Sequence, residues 1–288
     1  MSKVRKAVIP VAGFGTRFLP YTKAVPKAML PILNKPAIQI ITEEVIQSGI
    51  EEVMFIVGYK NEVIKNHFNP SKILEDELLA KHKTEFYNAV KYPETMVKVY
   101  FTEQKELNGT AKAIEVAKEF VNGEPFAILF GDDVMFNQER PVIKQLIDVY
   151  DKYNQTVIGC KNVSREDVTK YASVEYDNKD GKVYSVTKIT EKPKLEDVKS
   201  TLSPLGRYVV TPDVFDVIAT LKPSANMEYQ LTDAFDILSR TSGVKALDFD
   251  GVRYDMGSRL GYLKANIEFA LRDEELKNDL KDYLKTLI

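Results

Sequence analysis

The chain of 288 residues holds one cysteine, two histidines and almost no net charge, since 40 basic and 42 acidic residues leave −2. Each scarcity excludes something. A single thiol, Cys160, cannot form an intramolecular disulfide or a cysteine-rich metal site. Within the apolar run Thr156 to Cys160 it is expected as a buried strand residue and not as a nucleophile. His67 and His82 lie in polar sequence of helical pattern with no third histidine near them, so they read as surface residues and not as zinc ligands. The balanced charge supplies no global field for nucleic acid or membrane, and neither is expected as a partner. Met1 to Lys6 followed by a short strand has the make-up of neither a signal peptide nor a membrane span, so a cytoplasmic location is expected. Two phosphate signatures are also missing. No Gly-Lys-Ser/Thr occurs anywhere, and Phe18 stands where a dinucleotide fingerprint needs a third glycine or alanine.

What is present is a different phosphate loop. The apolar run Val8 to Ala12 leads straight into Gly13-Phe14-Gly15-Thr16-Arg17, with further cations at Lys23 and Lys27. Two glycines let backbone N–H groups turn toward an anion with no Cβ in the way, a nest suited to polyphosphate. Arg17 and Lys27 can add charge-assisted contacts to the same phosphates. Pro20, Pro26 and Pro31 stiffen the segment that carries them. With the overall charge balanced, phosphate binding has to come from such a local site.

Apolar strand-like runs at Ala7–Ala12, Val53–Gly58, Val97–Thr102 and Phe126–Phe130 alternate with helical patterns at Ala37–Ser48, Asn61–Phe68, Lys72–Val90 and Ala111–Val121. That order predicts an α/β fold with a mostly parallel sheet and helices on both faces. Gly49 reads as the C-cap of the first long helix. The second half is richer in strands, at Ala172–Tyr176, Val183–Ile189 and Gly206–Thr211, with a hairpin turn at Asp177–Gly181. From Arg259 one helical pattern runs to the C-terminus with Leu260, Leu263, Ile267, Ala270 and Leu271 on one face. The expected organisation is a single domain over 1–258, its nucleotide site mainly in 1–135 and its sugar-phosphate site mainly in 136–258, with a packed helical segment at 259–288.

The string from Pro10 to Pro31 resembles the signature of the sugar-1-phosphate nucleotidyltransferases, and the resemblance extends over nearly the whole chain. In detail the chain is similar to those members that use UTP and glucose-1-phosphate, and the charged helical insertion at Lys72–Val90 is a feature of that branch. The resemblance implies a Rossmann-like mixed sheet, magnesium as cofactor, UDP-glucose and pyrophosphate as products, and a homodimer or homotetramer that uses the outer face of the C-terminal helix. Such a reaction joins two strongly anionic reactants in line, so the protein must neutralise charge and align groups, and no protein nucleophile is required. Mg²⁺ suits this work because it needs only one or two protein carboxylates.

Asp132 fits that demand, since it follows the buried run Ala127–Phe130 and Gly131 at a strand's C-terminal end. By resemblance it is a metal ligand and nucleotide contact, and Asp255 in Arg253-Tyr254-Asp255-Met256-Gly257 is the second ligand. Asp133 is expected to point elsewhere. The resemblance makes Arg17, Lys27 and Lys192 the catalytic cations and Ala12, Gly13, Gly15 and Thr16 the phosphate-loop contacts. Gln104 offers the donor and acceptor that a uracil edge needs, with Gly109 and Thr110 beside it. Glu191, Lys192, Ala172 and Gly206 are the expected sugar-phosphate contacts. The chain also departs from the family pattern. Ala28 replaces the usual glutamate of Pro-Lys-Glu-Met-Leu-Pro, Tyr171-Ala172 replaces Tyr-Gly, and Asn108–Ala113 replaces Leu-Gly-Leu-Gly-His-Ala. Those changes bear on affinity and selectivity rather than reaction type, and they leave two alternatives open: the same chemistry with dTTP or another sugar-1-phosphate, or a weakly active regulatory paralogue.

Overall fold

The strands and helices written into the pattern form, and the computed structural model describes them over residues 3–59, 61–224 and 227–287; Met1 and Ser2 lie outside these. The first half runs β1 (Lys6–Pro10), the short ladder β2 (Pro31–Ile32) and β3 (Lys35–Pro36), α1 (Ala37–Gln47), β4 (Glu52–Val57), α2 (Glu62–Phe68), α3 (Lys72–Ala80), α4 (Thr84–Thr95) and β5 (Lys98–Glu103). It continues through α5 (Thr110–Glu115), α6 (Lys118–Val121), β6 (Phe126–Leu129), β7 (Asp133–Phe136) and α7 (Val142–Tyr153). The second half comprises β8 (Thr156–Asn162), α8 (Arg165–Val168), β9 (Ala172–Asp180), β10 (Val183–Glu191), β11 (Leu202–Val210), α9 (Val214–Thr220) and α10 (Leu231–Arg240). It ends with β12 (Val244–Asp248), β13 (Val252–Asp255), α11 (Arg259–Ala270) and α12 (Lys277–Lys285).

Nine strands form one sheet in the order β5-β4-β1-β6-β11-β8-β12-β10-β9. The first four are mutually parallel. β11 then enters antiparallel to both β6 and β8, β12 is parallel to β8, and the β9–β10 hairpin closes the edge. Alternation along β1 shows why helices cover both faces. Ala7 and Ile9 join one apolar cluster with α1 and α7, while Val8 joins the other with α5, α9 and α10. This is the mixed, mostly parallel α/β sheet expected. Gly49, at φ 83°, ends α1 with the paired backbone bonds of a glycine C-cap.

Five expectations need correcting. The hairpin turn expected at Asp177–Gly181 is confined to Gly181 and Lys182, because β9 continues through Asp180 and pairs it with Val183. The helical pattern 72–90 is two helices, parted at Lys81–Lys83 where His82 takes φ 53° and Lys83 N donates to Leu78 O at 2.9 Å. Three polar residues in a row give that stretch no apolar anchor, so the chain turns. The pattern 111–121 likewise divides into α5 and α6. The C-terminal pattern is broken at 271–276, where the Asp273 carboxylate accepts from the N–H groups of Glu275 and Leu276 and so fixes the turn that precedes α12. Its apolar stripe, Ala270 excepted, also faces outward. Leu260 and Leu263 are 63% and 55% exposed, and α11 packs instead through Ala265 and Ala270, with Tyr262 and Phe269 beside them. Lastly, His67 is half-buried, its Nε2 2.9 Å from Gln39 Oε1, whereas His82 is exposed as expected. Cys160 is buried, and burial pushes its thiol well above the ordinary value.

Candidate active site

Where β1 leaves the sheet, Val11 N donates to Ile56 O and the chain turns out at Ala12. Gly15 holds φ 63°, and a Cβ there would stand 2.9 Å from Lys27 Cβ and 3.0 Å from Thr22 Cγ2. The loop therefore folds back on itself, tied by Thr22 Oγ1 donating to Gly15 O at 2.9 Å. That fold-back sets Lys27 beside the glycine turn. Gly13 has no neighbour that a Cβ would meet, so its value lies in the open approach to its backbone.

The acidic side is built from two distant segments. β6 delivers Gly131 and Asp132 at its C-terminal end, and β7 pairs antiparallel with β13 so that Asp133 lies opposite Asp255. Met256 N donates to Asp132 O at 2.8 Å, locking the two segments together. Lys27 Nζ then meets Asp132 Oδ2 at 2.5 Å. Arg17 Nη1 donates to Gly257 O at 3.0 Å, and Gly257 N donates to Asp255 Oδ1 at 2.7 Å. How closely these groups converge is plain at Gly257, where a methyl group would lie 2.7 Å from Asp255 Oδ1, 3.1 Å from Lys27 Nζ and 3.3 Å from Arg17 Nη1. Burial alone would raise Asp132, but the Lys27 ammonium and the Arg253 guanidinium outweigh it and hold this carboxyl below its ordinary value. Asp133 turns away, buried against Arg253 Nε at 2.6 Å. Burial, with the neighbouring Asp132 charge, leaves Asp133 above its ordinary value despite Arg253.

A second wall holds the Gln104 and Glu191 segments. Gln104 is buried with Nε2 3.5 Å from Gly109 O. Gly109 sits at φ 117°, and a Cβ would run 2.3 Å from Tyr229 O. The demand for glycine thus comes from the Tyr229 backbone, where the sequence suggested approach of a bound ring. Thr110 Oγ1 accepts from Leu231 N at 3.0 Å, so its hydroxyl joins α5 to the first residue of α10. Ala172 pairs with Glu191 across the β9–β10 hairpin. Glu191 Oε2 accepts from Thr232 Oγ1 at 2.9 Å, and burial raises this carboxyl above its ordinary value against the pull of Thr232 and Lys192. Lys192 follows at φ 41°, its N–H donating to Tyr171 O at 2.7 Å and its half-exposed ammonium 3.7 Å from Glu191 Oε1.

These walls enclose one cleft of about 830 Å³. It is lined by every site residue expected from the sequence except Thr16, which is exposed beside it at the start of a short 3₁₀ turn. Ala28 is on the lining too. Sequence reasoning missed Tyr171, Gln230, Thr232 and Arg253 as lining residues. Arg253 and Tyr171 stood beside recognised positions, and that adjacency was the one available signal.

A cleft with a glycine-rich loop, clustered cations and two carboxylates at the ends of strands has the equipment to move a nucleotidyl group. The chain belongs to the nucleotidyl transferase family, whose sequence profile matches residues 6–271. More narrowly, it is 44% identical over 287 residues to the UTP–glucose-1-phosphate uridylyltransferase of Staphylococcus epidermidis, with 100% of this chain and 99% of that one covered. It is 42% identical, with the same coverage, to the enzyme of that name from Staphylococcus haemolyticus. Among solved structures, a UTP-bound UGPase from Acinetobacter baumannii superimposes with a TM-score of 0.90 at 30% identity, covering 99% of this chain and 100% of that one. A UDP-glucose pyrophosphorylase complexed with UDP-glucose gives 0.86 at 32% identity, covering 94% and 100%.

Proposed function

We propose that the protein converts UTP and α-D-glucose-1-phosphate to UDP-glucose and pyrophosphate. The observation that carries this is the convergence of Arg17, Lys27, Asp132 and Asp255 around Gly257, in a cleft shared with Glu191 and Lys192. It occurs in a chain similar over its full length to enzymes named for that reaction. A phosphate oxygen of the sugar phosphate attacks the α-phosphorus of UTP, the new P–O bond forms in line, and pyrophosphate departs with the electrons of the broken P–O bond. The protein's part is charge and alignment. Arg17 and Lys27 neutralise the triphosphate and the leaving pyrophosphate, the loop from Ala12 to Thr16 cradles phosphate oxygens with its N–H groups, and Lys192 holds the attacking phosphate. Gln104, with Gly109 and Thr110, reads the uracil edge. Glu191 accepts from sugar hydroxyls beside Ala172 and Gly206.

The donor set fits magnesium. No group of three His, Cys, Asp or Glu residues is arranged to hold a metal among the described residues, and Mg²⁺ is the ion that takes one or two carboxylates with phosphate oxygens and water completing its shell. The Lys27 ammonium 2.5 Å from Asp132 supports this reading, since it sets a positive charge against that carboxylate. Asp132 and Asp255 would hold the ion, which when bound neutralises phosphate oxygens.

Three further readings belong to the same proposal. No helix among the described residues is long and apolar enough to cross a membrane, and we read the protein as cytoplasmic. The exposed stripe on α11 supports a homodimer or homotetramer. Residues 1–258 act as the catalytic domain and 259–288 as its helical appendage.

The test is pyrophosphate release with Mg²⁺, crossing UTP and dTTP against a panel of sugar-1-phosphates. Release confined to UTP with glucose-1-phosphate is expected. Release with another pair would reassign the specificity, toward the pocket set by Ala28 and Ala172, and no release with any pair would overturn the reaction.

A further inference from the structure

Arg253 bridges two parts of the cleft that the proposed reaction must keep in register. Its Nε donates to Asp133 Oδ1 at 2.6 Å and its Nη1 donates to the Tyr171 hydroxyl at 2.9 Å, with the guanidinium carbon 4.9 Å from the centre of the Tyr171 ring. Only 16% of the side chain is exposed. Each end leads to a residue assigned above. Asp133 follows Asp132 in the chain and lies opposite Asp255 in the β7–β13 ladder. Its carbonyl is fixed in turn by Arg207, a fully buried side chain that forks onto Glu44 of α1. Tyr171 precedes Ala172, and its carbonyl accepts the N–H of Lys192.

Lys192 sits at φ 41°, a region that non-glycine residues occupy only when their surroundings enforce it. The Tyr171 carbonyl is part of that enforcement, and Tyr171 is anchored through its hydroxyl to Arg253. A buried ion pair serving stability alone would need only Asp133. The second bond, to a tyrosine on the acceptor side, uses the planar fork that distinguishes arginine from lysine.

We infer that Arg253 is a positioning residue: through Tyr171 it sets Lys192, and with it the attacking phosphate, against the carboxylates of Asp132 and Asp255. This rests on the roles proposed for Lys192 and the two aspartates. It acts on the acceptor half of the reaction. UTP binding therefore stays intact when the link is cut, while use of the sugar phosphate suffers.

The test compares Tyr171→Phe, Arg253→Lys and the double variant in the full-length protein. Calorimetry gives the Kd for UTP, and steady-state pyrophosphate release gives kcat and KM for glucose-1-phosphate. Each single change is expected to lower kcat/KM for glucose-1-phosphate by about tenfold, the scale of a small misplacement of a reacting group. The UTP Kd should stay within about twofold, and the double variant should be no worse than Arg253→Lys, because both cut one link. Wild-type kinetics in Tyr171→Phe, losses that multiply in the double variant, or UTP affinity falling in parallel would each overturn the inference. Should Arg253→Lys not fold, Tyr171→Phe decides alone, with its UTP Kd certifying the fold. An inactive wild type would sink the assigned reaction separately. Tyr171→Phe must then still weaken direct binding of glucose-1-phosphate about tenfold. Unchanged binding, or none by the wild type, overturns the link.

Discussion

Lys27 shows how a single side chain separates catalysis from stability. Its ammonium meets Asp132 in a partly exposed pair, the two side chains being 19% and 40% accessible, so their mutual attraction is screened and worth about 1 kcal/mol or less. In the role proposed for it, the same charge would face the departing pyrophosphate and act where charge develops. Lys27→Ala should cut kcat by about 10²–10³-fold while the melting temperature hardly moves; near-normal turnover in that variant would remove its role. Glu191 has the opposite balance, since burial opposes its ionised form. Glu191→Gln keeps an oxygen for the Thr232 hydroxyl and sheds the buried charge. It should melt no lower than wild type, yet KM for glucose-1-phosphate should rise on the order of tenfold, the worth of a hydrogen bond to a charged acceptor. Unchanged KM would show that Glu191 does not touch the sugar. At this scale the sequence was most readable where chemistry and local geometry coincide. Gly15 and Asp132 each follow a recognisable apolar run. Arg253 meets Asp133 across 120 residues, and no local pattern announces such a meeting.

Helices and strands obey their own arithmetic. Two interrupted helices, 72–95 and 259–285, keep a period through the break, because the chain resumes a helix soon after each turn. Periodicity therefore marked the segments and missed the caps. It also could not say which face of α11 meets the core. Small Ala265 and Ala270 allow close approach there, while larger Leu260 and Leu263 remain outside. At the first break His82 holds a left-handed conformation that costs a side chain about 1 kcal/mol. His82→Gly should raise stability by about 0.5–1 kcal/mol in urea unfolding, and a loss would show that the exposed ring matters. At α2, burial lowers His67 below its ordinary value of 6.5. The unfolded chain then binds the proton more readily than the folded one, so stability is intact above that value and declines as the pH falls below about 6.5. His67→Gln should flatten that part of the stability–pH curve, a difference readable from melting temperatures between about pH 7 and 5.5.

Across the whole molecule, the sheet unites two halves through β11, which pairs with β6 on one side and β8 on the other. The Arg207–Glu44 pair secures that junction, with Glu44 also accepting from Ile143 N at the start of α7 at 2.9 Å. Glu44→Gln would leave a fully buried guanidinium without its counter-charge, at about 3–5 kcal/mol. Chemical denaturation measures that loss, and a change under about 1 kcal/mol would show that Arg207 finds other partners. The layered α/β architecture was readable because each half repeats strand and helix. The antiparallel entry of β11 was not, since a strand buried along its whole length carries no mark of direction.

Arg17 finds its acceptor at Gly257, 240 positions downstream. On a ribosome adding 5–20 residues per second, the glycine-rich loop therefore waits on the order of 10–50 s for the segment that packs against it. Through that interval the nascent chain can shape much of its sheet while still lacking Asp255; with Asp255 in the role proposed for it, no unfinished copy can spend UTP before synthesis is nearly done.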